Sequence, residues 1–234
     1  MKISEFTLQK AILEVRYEPA YLHWDRAGSM WQTASQEWRG LEMSSAEPNR
    51  TVFKWKNMYE FSALVERANV NVLFPGSTLE DEGYKVFDKF IELVASALKI
   101  SDFSRIGFRT IFQKPCESEK DASAQLLSLG LLKPPEGKHF GISGDITRLS
   151  FDARWEGEEL GSRVQIFTQK EETDFDPPPG IDELKSVHTS KNLITYDVDY
   201  FTTASTSVGQ FKPLKWIPPV MQIIRRDAKD FLGG

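Results

Sequence analysis

The sequence predicts an α+β protein: one large, mostly antiparallel sheet with helices packed against it. Three observations predict it. Apolar residues alternate with polar ones in stretches such as "AILEVRY" and "RIGFRTIF", the period of a strand with one buried face. They recur at helical spacing between Trp24 and Trp38 and again from Phe87 to Leu98. The order of these patterns over residues 1–115 is strand, helix, strand, strand, helix, strand, which is the split βαββαβ unit of ferredoxin-like folds. Residues 116–234 then read as an imperfect second half, lacking a full helix between its last two strands.

The first strand, "LQKAILEVRYEP", puts Ala11, Leu13, Val15 and Tyr17 on one face, with Ile12, Glu14, Arg16 and Glu18 on the other. Pro19 ends it. Asp25 is the expected N-cap of a helix running to about Trp38, with Ala27, Met30, Trp31 and Ala34 on its apolar side. "RTVFKWK" and "EFSALVERANVNVLF" read as two strands joined through "NMY". Ser77 and Glu80 have capping-box spacing ahead of a long helix whose stripe is Phe87, Phe90, Ile91, Val94 and Leu98. In the fourth strand, "SRIGFRTIFQKP", Ile106, Phe108 and Phe112 oppose Arg105 and Arg109. In a ferredoxin-like sheet the first and fourth strands are antiparallel neighbours, so Glu14 and Arg16 are expected beside Arg105 and Arg109.

Beyond Pro115, "SEKDASAQLLSLGLL" predicts a shorter helix, and a Pro-Pro-Glu-Gly turn leads to "HFGISGDITRLSFDARW" and "GSRVQIFTQK", a hairpin across "EGEEL". "NLITYDVDYFTTA" is a further strand. Val220, Ile223, Ile224, Ala228 and Phe231 mark a final helix, with Pro218 and Pro219 suited to its first turn. The polar connection 171–190 is long enough for a mobile flap or a binding loop, with "GIDELKSV" able to form a short helix inside it. In all, seven strands and four helices are expected. Residues 1–234 read as a single α+β domain, division into 1–115 and 116–234 being the alternative.

Composition narrows the function classes. With 40% hydrophobic and 27% charged residues the chain has the make-up of a folded protein. Its net charge of −5 withholds the global basic excess that drives phosphate binding, so nucleic acid is not favoured as a partner, although a local patch could bind it. A lone Cys116 excludes an intrachain disulfide and multi-cysteine zinc sites. The N-terminus mixes charges into its apolar stretch and no window approaches a membrane span, so the expectation is a cytoplasmic protein without a membrane partner.

Three strand motifs, "AILEVRYEP", "SRIGFRTIFQK" and "LITYDVDYF" ahead of a last amphipathic helix, resemble a sporadically distributed bacterial family of uncharacterised cytosolic proteins of about this length. The resemblance spans the chain in order. It implies a fold and a bacterial origin, and it brings no activity and no catalytic residues. Sporadic occurrence suggests mobile elements, defence systems or their partners.

The candidate binding residues for a ligand or partner are Arg105, Arg109, Glu14 and Arg16. Gly107 between the arginines would let an extended ligand approach two guanidiniums shaped for carboxylate or phosphate. The competing reading, and the commoner outcome on a sheet face, is cross-strand pairing with Glu14. Asp197 and Asp199 share a strand face opposite Tyr196, Val198 and Tyr200, and could hold Mg²⁺ with a third acid, which spacing does not identify. Asp174 and Asp176 in "TDFDPPPG" suit turn chemistry, and Glu183-Leu184-Lys185 behind Asp176 lacks the apolar strand of a nuclease site. His23, His139 and His188 are scattered, Cys116 lacks a flanking nucleophile motif, and "GISG" and "EGEELG" match no phosphate loop. Lys54 and Lys56 alternate with Phe53 and Trp55 and lie near Tyr59, which could make a base-stacking platform only if both strand faces were exposed. Gly233-Gly234 reads as a helix-terminating pair or as a tail for a conjugating enzyme.

The balance of these readings is an accessory or interaction protein without a cofactor, binding a protein partner or a second copy. Trp24, Trp31, Trp38 and Trp216 are candidate anchors. The alternative is an enzyme acting on nucleotides or nucleic acid, which requires Arg105, Arg109, Asp197 and Asp199 to converge in one pocket. An RNA-binding sheet built on Lys54 and Lys56 is the third reading.

Overall fold

The computed structural model describes residues 1–76, 79–131, 146–175 and 187–233. It has mixed α+β architecture. In chain order the elements are β1 (Thr7–Arg16), α1 (His23–Glu37), β2 (Glu42–Glu47), β3 (Arg50–Trp55), β4 (Tyr59–Leu64), β5 (Arg67–Leu73), α2 (Tyr84–Leu98), β6 (Asp102–Phe103) and β7 (Arg105–Cys116). There follow α3 (Glu119–Leu127), β8 (Ser150–Glu156), β9 (Leu160–Phe175), β10 (Val187–Thr202), β11 (Thr206–Ser207) and α4 (Pro213–Leu232). Nine strands form one sheet in the order β2-β3-β4-β5-β1-β7-β10-β9-β8, with every neighbouring pair antiparallel; β6 and β11 pair separately.

The ferredoxin-like first half is present, enlarged by an inserted hairpin. β1 and β4 are parallel with β5 between them, and β5 and β7 are parallel with β1 between them, so α1 and α2 each span a split crossover. The stretch "EFSALVERANVNVLF" is two strands, not one, because it turns back at Val65-Glu66 to make the β4–β5 hairpin. "RTVFKWK" therefore becomes β3, between β4 and the edge strand β2, which the sequence did not announce: "EMSSAE" is exposed and has no apolar alternation. The count in the main sheet rises accordingly above the seven expected.

Alternate residues of the strands bury a continuous apolar layer under the helices. Ala11, Leu13 and Val15 of β1, Val70 and Val72 of β5, Ile106 and Phe108 of β7 are all within 1% of full burial. The predicted stripe of α2 is buried against them. Trp38 stacks on Phe61 at 4.7 Å, Phe61 meets Phe90 at 5.0 Å, and Phe87 meets Phe108 at 6.2 Å. Each such side chain gains about 1.5–3 kcal/mol on leaving water, which fixes the face the helices cover. α1 lies against α2 and α2 against α4, while α3 rests on β7, β9 and β10. Among the described residues no helix covers the opposite face of the sheet.

Several expectations about element ends are corrected. α1 begins at His23 with Leu22 as a cap that offers no side-chain bond, so Asp25 lies in the first turn and is not the N-cap. Leu79–Gly83 forms a π-helical turn ahead of α2, and Ser77 lies outside the described residues. α4 starts at Pro213, which places Pro218 and Pro219 inside the helix. They are tolerated because the carbonyls they leave unbonded belong to Leu214 and Lys215, both exposed to water. Residues 171–175 and 187–190 are paired β9 and β10, not a flap; 176–186, with the short helix proposed there, lie outside the described residues. Gly233 adopts φ 72° and ends α4 as a left-handed cap, and Gly234 lies outside the described residues.

The predicted adjacency of β1 and β7 holds, and with it the placement of the charged residues. A second polar element is internal: His23 is fully buried, its Nδ1 3.1 Å from the Pro48 carbonyl and its Nε2 3.2 Å from Thr51 Oγ1. Because the carbonyl only accepts, Nδ1 donates to it and Nε2 accepts from the hydroxyl, tying α1 to the β2–β3 hairpin. His23→Leu leaves both partners unpaired and is expected to cost about 1–3 kcal/mol. Urea unfolding checks this; an unchanged midpoint would remove the tie.

Candidate functional site

Period-2 alternation and the strand registers bring the six nominated charges onto the helix-free face. Glu14 of β1 stands opposite Gly107 of β7, and Asp199 of β10 opposite Arg109. Arg105 extends over Gly107: Nη1 donates to Glu14 Oε1 at 3.3 Å and Nη2 to Asp199 Oδ2 at 2.6 Å. A Cβ on Gly107 would lie 2.8 Å from Arg105 Nη1, so the bare position is filled by the arginine itself and is not open to a ligand. Arg109 forks onto Asp197, with Nε 2.8 Å from Oδ1 and Nη2 2.5 Å from Oδ2. Arg16 Nε donates to Glu14 Oε1 at 2.8 Å.

The pairing continues onto β8 and β9, where Arg163 donates to Asp152 from Nε at 2.9 Å and Nη2 at 2.5 Å, and Arg154 pairs with Glu156. At its centre lies a side chain the sequence reading did not single out. Phe201 is 3% exposed, with the Arg105 guanidinium 4.5 Å and that of Arg154 5.2 Å from its ring centre. Its ring occupies the space over Gly161, the residue opposite it on β9. The available signal was the continued alternation in "DVDYF", which puts Phe201 on the face of Asp197 and Asp199.

Arg105, Arg109, Asp197 and Asp199 thus converge, but as closed pairs rather than as groups aimed at a common point. A phosphate would have to compete with carboxylates at Arg105 and at the Nε/Nη2 edge of Arg109, and a cation with the guanidinium held by each carboxylate. Among the described residues no three His, Cys, Asp or Glu side chains gather to hold a metal ion. Asp197 holds the Arg109 guanidinium even more firmly protonated than usual. Burial keeps the Asp199 carboxyl above the usual carboxylate range, outweighing Arg105, while Glu14 adds to the upward push.

The raised Asp199 group has a pH signature. The folded state binds its proton more readily than the unfolded state, so its contribution to stability falls as pH rises from the unfolded value through the folded one. Asp199→Asn cannot ionise, and its stability relative to wild type is therefore expected to improve across that window from acid towards neutral pH. Thermal unfolding of both proteins between about pH 3.5 and 7 tests it; a difference independent of pH would contradict the assignment.

The other nominated residues do not assemble into a site. His23 is buried in the tie described above, His188 pairs with Asp174 at 2.5 Å at the start of β10, and His139 lies outside the described residues, as do Asp176, Glu183 and Lys185. The half-buried Cys116 thiol is pushed up by burial, the opposite of an activated nucleophile. Phe53 and Tyr59 are buried, and Lys56 lies 4.1 Å over Trp55 and pairs with Glu82 at 2.9 Å, so the aromatic faces needed to stack bases are not presented. Of the tryptophans, Trp38 is core, Trp31 and Trp216 are partly buried against it, and Trp24 is 61% exposed. No helix of the described residues is long and apolar enough to cross a membrane. No family model matches the chain, and no curated protein does.

Proposed function

We propose that the chain is a non-catalytic interaction protein whose work is done by surfaces presented to a protein partner. One observation carries the reading: the charges best suited to chemistry on the helix-free face are spent on one another. Arg105 and Arg109 are occupied by Glu14, Asp199 and Asp197. Such closed pairs stiffen a polar face without leaving a group poised to react. Large side chains in contact with solvent, Tyr21, Trp24 and Trp155 among them, supply the kind of anchors that protein interfaces use. The resemblance of the strand motifs adds a bacterial cytosol as the setting and a defence system as the first place to look.

The test is co-elution of the tagged full chain from its host, followed by cross-linking and native mass spectrometry. The expected result is a protein adduct of fixed stoichiometry. Nucleotide or nucleic acid retained instead, released by Arg105→Ala/Arg109→Ala, together with nucleotide turnover lost in Asp197→Asn, would replace this reading with the enzyme.

A further inference from the structure

A cleft of about 580 Å³ opens between the β1–α1 connection and the end of α2. Its wall is mostly apolar, with Tyr17, Pro19 and Leu22 on one side and Leu98 and Ile100 on the other. Tyr21 at its rim is 67% exposed, and its ring meets that of Trp24, 61% exposed, edge to face at 6.2 Å. Two large aromatic rings held together in water, beside a cleft, form a platform that the core does not explain.

The charge lining the cleft is one-sided. Glu18, Asp25 and Asp102 line the cleft against Lys99 alone, and all four are exposed. Unlike the carboxylates of the sheet face, those three acids form no ion pair among the described residues. α2 also ends here, so its carbonyl terminus adds partial negative charge, while Asp25 offsets the amide end of α1. Aromatic rings beside unpaired carboxylates are the surroundings an arginine side chain prefers, because the guanidinium can stack on a ring face and donate to a carboxylate at once.

We infer that this cleft receives an arginine-bearing basic segment of a protein partner, an arginine stacking on Trp24 or Tyr21 and donating to Asp25, Asp102 or Glu18. The inference rests on the interaction reading above and names the chemistry of the partner. The peptide acetyl-Gly-Arg-Gly-Arg-Gly-amide is the probe, and its glutamate counterpart the control. Titrated into the ¹⁵N-labelled full chain, the arginine peptide shifts amide resonances of 17–25 and 98–102 and the Trp24 indole, and its affinity falls as salt is raised. Trp24→Ala weakens it by about tenfold, and Asp25→Asn/Asp102→Asn does so while flattening the salt dependence.

Equal shifts with the glutamate peptide, no shifts at all, or shifts mapping to the ion-pair face would overturn the assignment. So would concentration-dependent shifts of the same residues without peptide, which would mean a second copy of the chain. The variants replace exposed side chains, and unchanged resonance dispersion verifies that they fold. The co-elution experiment repeated with Trp24→Ala/Asp25→Asn/Asp102→Asn separates the two claims. A partner still retained leaves the interaction reading standing and overturns the cleft; a partner lost supports both. If wild type retains no protein, the interaction reading falls, and the peptide titration judges the cleft alone.

Discussion

Gly161→Val is expected to destabilise the chain by about 3 kcal/mol and to lower its melting temperature by roughly 6–12 °C. A Cβ at this position would lie 2.5 Å from Cε2 and 2.6 Å from Cζ of Phe201, and 3.1 Å from the Trp155 carbonyl oxygen. The ring has little room to step aside, because it is 3% exposed and flanked by the guanidiniums of Arg105 and Arg154. Gly161→Ala makes the same first contact with less bulk, and its loss is reduced by about 0.4–1 kcal/mol through the lower entropy of the unfolded chain. Scanning calorimetry of both variants checks the order. Phe201→Leu combined with Gly161→Ala should recover part of the loss, since the smaller side chain vacates the space. An unchanged melting temperature in Gly161→Val would mean that the ring is not held there.

Arg109→Leu is the second substitution with a large expected effect, about 2–3 kcal/mol. Asp197 is only 6% exposed at its side chain while Arg109 is 45% exposed. Removing the arginine leaves a buried carboxylate without its fork, which in a sealed site costs about 3–5 kcal/mol; water reaching through the half-exposed position moderates it. Arg109→Lys is not conservative here, because a single ammonium cannot reproduce the paired donation from Nε and Nη2, and it should fall between wild type and Arg109→Leu. The double variant Arg109→Leu/Asp197→Leu removes the stranded charge and is expected to be more stable than Arg109→Leu alone. Denaturant unfolding of wild type, Arg109→Leu, Asp197→Leu and the double variant closes the cycle. A double variant that loses the sum of the two single losses would show that the pair is not coupled.

How far the sequence could be read is clearest from particular elements. β1, α2 and β7 are legible because Leu13, Phe90 and Phe108 must leave water, and the repeat at which such residues recur is set by the element that buries them. β2 is illegible for the converse reason: an exposed edge strand held by backbone bonds to β3 needs no apolar repeat. The turn at Val65-Glu66 carries neither glycine nor proline, so the β4–β5 hairpin reads as one long strand. The cleft beside Trp24 has no signature either, since it is made by residues from the two ends of separate elements.

The same division runs through the charged face. The sequence by itself determined that Arg105 and Arg109 share a side of β7 and that Asp197 and Asp199 share a side of β10, because alternation is a local rule, while the order of its elements pointed to β1 beside β7. Only the tertiary structure decided that these groups close on one another. Arg105 and its acceptor Asp199 are 94 residues apart, and the strand register that brings them to 2.6 Å depends on the whole sheet. Whether a guanidinium is free to take a ligand depends on which carboxylate a neighbouring strand delivers to it, and no local pattern encodes that neighbour.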